Sequence, residues 1–329
     1  MLKTIVKITI AFGLLAYLYS KGKLDFSVIM KSLENPGYYF LGFVMILTQC
    51  SINAIRWKMI LGTQTKNSIP NLFIIMVTWV GMFFNTVLPG AVSGDLVKMI
   101  YLNKIDENLT KTSMFLTVLM DRIYGLIALI LITGLVSAFR YNYLIGLSED
   151  VKNIISVNLL LFLGIFIFIS TLFAKDSLQN KLLNIIRKIP KLGENISHLF
   201  ECFWNIGRDK GVFFKSILVS LIGQFMGLSA FFIICSPLIQ GSIAIQDIYT
   251  FVPIGMIITA IPLAPGGMGV GHVAFDKLFS FLNVTNGADL FNVFWITMMT
   301  INLLGLIPYV ILGKSKKKVA HTTKQVPQA

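Results

Sequence analysis

The sequence predicts an all-α polytopic membrane protein, with about six full transmembrane helices and two broken, re-entrant helical hairpins arranged as an inverted repeat. Three observations carry that expectation. Of the 329 residues, 55% are hydrophobic and 13% charged, with a mean hydropathy of +0.77; soluble domains carry about 25% charged residues. Several apolar runs reach the roughly 18 residues that a bilayer-crossing helix needs. Two stretches rich in proline and glycine, 88–95 and 261–272, interrupt apolar segments. Proline lacks an amide donor and glycine favours no single backbone basin, so a helix breaks there. In lipid, a broken backbone survives only where protein buries it or water reaches it.

The elements follow in order. Residues 4–20 form a first span behind Lys3 and Lys7; no small-residue cleavage site follows, so it reads as a retained helix. The second span, 37–55, closes on Arg56-Trp57-Lys58. Tryptophan beside basic residues is the pattern of a headgroup-level anchor, the alternative for Arg56 being a ligand-facing role. An apolar helix from Pro70 stops at Pro89-Gly90, and Gly94-Asp95 opens a segment too brief to span. Helices over 112–139 and 153–174 come next, the first carrying Asp121-Arg122. In 175–211, Leu178, Leu182, Ile185, Ile186 and Ile189 recur at helical spacing opposite basic residues, as on an anionic leaflet. Ile196, Leu199, Phe200 and Phe203 form a second such face. Spans 212–235 and 290–312 flank the second broken segment, 248–282, and the basic tail 314–329 is expected to be disordered.

Charge sets the orientation. Lysine and arginine concentrate in 1–7, 56–69, 95–111, 175–215 and 314–329, while acidic residues divide evenly between the two sides. That places both termini in the cytoplasm of an inner (plasma) membrane protein, if the broken segments return to their own side. Units of about 37–139 and 212–312 then share one layout in opposite orientations within a membrane domain spanning 1–313. Inverted repeats with interrupted helices point to a transporter with its site near the midplane.

Arg56-Trp57, Asn85-x-x-Leu88-Pro89-Gly90 with Gly94-Asp95, Asp121-Arg122-x-x-Gly125, and Pro262-x-x-Pro265-Gly266-Gly267-x-Gly269-Val270 occur in that order. The set resembles the flippase-like family named for the membrane region of lysylphosphatidylglycerol synthase, over about residues 4–313. The resemblance implies an inner-membrane protein that moves lipids or lipid-linked headgroups between leaflets. Some relatives append a soluble aminoacyl-transferase domain; only 314–329 follow here, so that chemistry is not expected. Ser93, Lys98 and His272 depart from the family's usual glycine, arginine and glutamate. Histidine is neutral or cationic near neutral pH where glutamate is an anion.

The candidate translocation residues are Arg56, Asn85, Pro89, Gly90, Gly94, Asp95, Lys98, Asp121, Arg122, Pro265, Gly266, Gly267, Gly269, His272 and Asp276. Helix starts after each break would aim unpaired amides at a phosphate. Lys98 lies one turn past Asp95 and can pair with it or meet an anion. Asp121 and Arg122 project about 100° apart, so each can find a partner elsewhere, in a structural network or on a substrate or proton path. His272 and Asp276, also one turn apart, can share a hydrogen bond. Asn53, Asn85, Gln224 and Asn302 are placed for hydrogen bonds between helices, and Gly223-x-x-x-Gly227 for close packing.

Composition also narrows the function classes. The net charge of +13 sits in short loops rather than in a nucleic-acid-binding patch, and the three cysteines form no metal-ligand spacing. Gly267-x-Gly269-x-Gly271 lacks the strand–helix setting of a dinucleotide loop, and His198, His272 and His321 are scattered. No cofactor is expected. The leading expectation is a non-catalytic flippase or scramblase whose partners are membrane lipids, an anionic phospholipid or a polyprenyl-phosphate carrier. A membrane transferase using Asp95, Asp121 or Asp276, or a partner of a lipid-modifying enzyme or glycosyltransferase, are the alternatives.

Overall fold

A computed structural model describes residues 30–65, 68–87, 93–103, 106, 109–190, 192–239, 243–260 and 269–313. Every described element is helical. They are α1 (Pro36–Leu61), α2 (Asn71–Val87), α3 (Ser93–Leu102), α4 (Lys111–Phe139), the short α5 (Tyr141–Ile145), α6 (Glu149–Ser170), α7 (Asp176–Arg187), α8 (Gly193–Gly207), α9 (Lys210–Cys235), α10 (Ile245–Thr259), α11 (Val270–Ser280) and α12 (Gly287–Leu303). A 3-10 turn extends α6 to Phe173, and α12 resumes after a turn at Leu304-Gly305 as far as Gly313. With those extensions, five described segments (α1, α4, α6, α9 and α12) are long and apolar enough to cross a membrane. The predicted first span 4–20 and the tail 314–329 lie outside the described residues.

Helix starts carry local signals that the chain supplies itself. Pro36 occupies the first turn of α1, where its missing amide proton costs nothing. The side chains of Thr110, Ser148 and Asp209 accept the amides of Ser113, Val151 and Val212 at the starts of α4, α6 and α9.

The two broken segments are hairpins. At 1.5 Å per residue α3 is about 15 Å long and α11 about 16 Å, half the roughly 30 Å of hydrocarbon, and each folds back on the helix before it. In the first hairpin the Gly94 amide donates to Asn85 Oδ1 (2.7 Å) and Ser93 Oγ donates to the Phe84 carbonyl (3.1 Å). A Cβ on Gly94 would run into the Gly81 carbonyl, and one on Gly81 would meet the Lys98 side chain. In the second, a Cβ on Gly255 would strike the Phe275 ring.

The two units pack in a paired way. Along α1–α9, Gly42 meets Ile234, Gln49 meets Gly227, Asn53 meets Gly223 and Arg56 meets Ser220, so the two helices run antiparallel without slipping. The units therefore have opposite orientations. Helix pairs that pack in one unit have counterparts in the other. The last helix of each unit seats on the hairpin of the other. Thr133 of α4 donates to the Thr250 carbonyl of α10 (3.0 Å), and Asn302 of α12 donates to Thr86 of α2 (3.0 Å).

Two expectations require correction. Trp57 is no lipid-facing anchor: it is 1% exposed, packed with Leu61, Ile74, Val77 and Leu102. The anchor reading of Arg56 fails with it, since Arg56 is also buried. The second amphipathic face of the linker does not lie on lipid. Phe203 and Trp204 of α8 are buried against Ile60, Met120, Tyr124 and Phe213, with Phe200 and Phe168 beside them. The apolar rings of α8 found a protein surface at the helix ends.

Candidate functional site

Four helices converge where α3 starts. α1 delivers Arg56 from its penultimate turn, α3 delivers Asp95 and Lys98, α4 delivers Asp121 and Arg122, and α9 delivers Ser220 and Gln224. Arg56 Nε donates to Asp121 Oδ1 (2.7 Å) and Arg56 Nη1 to Ser220 Oγ (3.0 Å). Ser220 Oγ in turn donates to the Ser216 carbonyl (2.7 Å). Arg122 Nη2 donates to Asp95 Oδ2 (2.5 Å), while Lys98 Nζ lies 3.3 Å from Asp95 Oδ1 and 5.3 Å from the centre of the Trp57 ring. Gln224 Nε2 donates to the Gly125 carbonyl (3.2 Å), which closes the α4–α9 side.

Adjacent Asp121 and Arg122 thus pair outward in different directions, as their 100° separation requires. Among the described residues the set holds three cations (Arg56, Lys98, Arg122) and two carboxylates (Asp95, Asp121), a surplus of one positive charge. Its members differ in access. The side chains of Arg56 and Asp95 are each 5% exposed, Lys98 12%, Asp121 17% and Arg122 48%. Asp121 lies about 15 Å along α4 from its start. A lone charge at such depth is costly, and pairing is what makes it tolerable.

Arg122 lies on a face of α4 shared with Phe115 and Leu126, both exposed. Across from it, Leu96 and Ile100 of α3 are exposed too. The half-exposed guanidinium thus has exposed apolar side chains on both helices that flank it.

Of the other predicted positions, Asn85 and Gly94 form the hairpin closure above, whereas Pro89 and Gly90 lie outside the described residues, as do Pro265, Gly266 and Gly267. Gly269 opens α11 at φ 80°, a left-handed conformation that suits glycine. Its amide points at His272 Nδ1 (3.4 Å), and the His272 ring stands edge-on to Phe291 (4.9 Å between centroids). His272 thus caps its own helix start, and Asp276 is exposed one turn on. Through Phe291, His272 touches an aromatic cluster with Phe231, Phe275 and Phe279, and the three positions lie on a different hairpin from the ionic set.

The repeat is therefore symmetric in backbone and asymmetric in chemistry. Contacts of α4 with α1 and α3 are ion pairs; the mates, α12 with α9 and α11, are Phe231–Phe294 and His272–Phe291. Sequence reasoning missed Ser220, although Ser216-x-x-x-Ser220-x-x-Gly223-Gln224 marks a small and polar face on α9. It also missed the ion pair between Arg140 and Asp247 (2.7 Å), which joins α4 to α10 at the far end of the bundle. There Asp247 Oδ2 also accepts the Ala244 amide (3.0 Å).

The predicted helix-bridging roles hold for Gln224 and Asn302, and Gly223 and Gly227 do carry close packing: a Cβ on Gly227 would meet Gln49, and one on Gly223 would meet Asn53.

Comparison with known proteins agrees with this picture. The chain is 25% identical over 271 residues to a UPF0104 membrane protein of Pyrococcus horikoshii, covering 74% of this chain and 76% of that protein. The family described as the lysylphosphatidylglycerol synthase TM region matches residues 4–313. With its membrane helices, its two hairpins and that match over nearly the whole length, the chain belongs to the lysylphosphatidylglycerol synthase transmembrane-region family.

Proposed function

We propose that the chain moves an anionic, phosphate-bearing lipid headgroup between leaflets as a flippase or scramblase, at the inner (plasma) membrane with both termini in the cytoplasm. The observation that carries this reading is the ionic set with one surplus positive charge, half-exposed at Arg122. Moving a headgroup through hydrocarbon is slow because its charge must shed water. Polar groups partway lower that barrier.

Asp95 is shared between Lys98 and Arg122, one carboxylate oxygen to each. A phosphate arriving at Arg122 can take that guanidinium as a bidentate partner while Asp95 keeps Lys98. No charge is stranded in the exchange. The acyl chains stay in the bilayer against Leu96, Ile100, Phe115 and Leu126. Arg56 and Asp121, the buried pair, position α4 behind Arg122. With Asp95 and Asp121 both engaged by cations, the carboxylates suit an electrostatic role better than that of a base in a transferase, so we read the chain as a translocator. An enzyme that makes or consumes the lipid, including a glycosyltransferase, is the natural partner.

The test is a leaflet-resolved assay in proteoliposomes carrying phosphatidylglycerol, phosphatidylethanolamine or a polyprenyl phosphate, with and without a pH gradient. Movement of the anionic lipids above protein-free vesicles, lost in Arg122→Ala, is the expected result. Arg122→Ala moving lipid at the wild-type rate would remove the site from the mechanism. Product formed from a nucleotide sugar by the purified protein would favour the transferase.

A further inference from the structure

The linker between the two units carries a face that no described residue covers. Leu178, Ile185 and Ile189 are 52%, 64% and 44% exposed. Leu178 and Ile185, seven residues apart on α7, share one narrow stripe, since seven residues return nearly to the same angle, and Ile189 follows in the turn just past the helix end. Lys181 and Lys188, themselves seven apart, run along one edge of it, and both are exposed.

The opposite side of α7 is tied down. Leu183 is buried with Phe203 and Trp204 of α8, and Gln179 Nε2 donates to the Thr171 carbonyl (3.0 Å) at the end of α6. Trp204 Nε1 donates to Thr171 Oγ1 (3.0 Å). The helix is thus clamped to the terminus of a membrane-crossing segment, with a fixed roll that turns the stripe outward. The neighbouring helix ends carry the marks of the membrane interface. Phe173 and Phe214 are 50% and 54% exposed, their rings 6.1 Å apart, and Lys210 Nζ stands 4.8 Å above the Phe173 ring. Aromatic rings topped by a lysine that reaches toward water are typical of the headgroup level.

We propose that α7 docks on the anionic leaflet of the bilayer that the chain itself spans, with Leu178, Ile185 and Ile189 in the acyl boundary and Lys181 and Lys188 on the phosphates. The charge match selects this occupant over a protein groove: an aliphatic stripe edged by lysines, on a helix held beside the membrane, fits lipid anions. The inner face of α7 reaches Tyr124, two residues from Arg122, through Leu183 and Phe203. Docking therefore braces the helix that carries the ionic set. The inference stands whether or not the chain moves lipid.

Hydrogen exchange by mass spectrometry tests it on the full chain, one copy per nanodisc. Two lysines at an anionic surface shift docking by about thirtyfold. Amides of 176–189 should exchange more slowly by about that factor in phosphatidylglycerol-containing discs than in phosphatidylcholine discs. Lys181→Glu with Lys188→Glu should abolish the difference while exchange in 36–61 stays unchanged, which separates lost docking from lost fold. Equal exchange of 176–189 in both lipids would overturn the proposal. So would protection confined to discs holding two copies, which would assign the stripe to a second chain.

Discussion

The Arg56–Asp121 pair makes the sharpest prediction. Arg56→Met strips Asp121 of the guanidinium that pairs with it, leaving a carboxylate 17% exposed about 15 Å along α4. Asp121→Asn leaves a guanidinium 5% exposed, still donating to Ser220 Oγ. Removing one member of a buried pair typically costs about 3–5 kcal/mol, because the other charge stays behind unmatched. Removing both leaves no charge to strand. The double variant should therefore lose about as much as either single one, with a coupling energy of about 3–5 kcal/mol in the cycle. Unfolding by sodium dodecyl sulfate in mixed micelles, followed by circular dichroism, measures all four corners. Additivity within about 0.5 kcal/mol would show that the two side chains do not form an energetic unit, and the assignment of Arg56–Asp121 as the brace behind Arg122 would fall.

Other substitutions test the remaining features. Gly94→Ala drives a methyl group into the Gly81 carbonyl and should abolish folded protein on size-exclusion chromatography, while Gly164→Ala, with open space around it, should leave the melting temperature the same or raised by the equivalent of about 1 kcal/mol. Asp247→Asn keeps an acceptor for the Ala244 amide but loses the charge facing Arg140, so thermal stability in detergent should fall by less than in Asp247→Ala. Glu201→Gln removes the partner of the half-exposed Arg187; the loss should stay under about 1 kcal/mol and shrink further in high salt.

The legible parts of this fold were those written in local chemistry. Pro89-Gly90 and the glycines around 266–271 announced breaks, apolar run lengths announced spans, and the lysines and arginines between them announced that the halves oppose each other. Helix ends shifted by only a few residues, as where α1 runs on to Leu61 rather than ending near Ile55. What stayed hidden was which face of each helix meets protein. Trp57 beside Arg56 and Lys58 has the composition of an interface anchor, and only the approach of α2 and α3 shows that it is core. The aromatic face of α8 and the aliphatic face of α7 read alike, yet one lies on protein and the other is open. Pairings such as Arg56–Asp121 and Arg122–Asp95 join positions 65 and 27 residues apart, beyond any local periodicity. The surplus charge of the site becomes visible only when all five ions are counted together.

The exchange of helices between the two units also sets a schedule for biogenesis. The bond between Thr86 and Asn302 joins positions 216 residues apart, and that between Thr133 and Thr250 joins positions 117 apart. At about 5–20 residues per second, the first hairpin is made roughly 10–40 s before the helix that completes its seat. Through that interval α2 and α3 stand in the membrane as a half-built socket, with the flank meant for α12 turned to lipid or to the insertion machinery. Gly305, which meets the Trp79 carbonyl so closely that a methyl group would not fit, is the last key to enter. The late arrival of α12 would make the nascent first unit the stage at which this chain most needs a membrane chaperone.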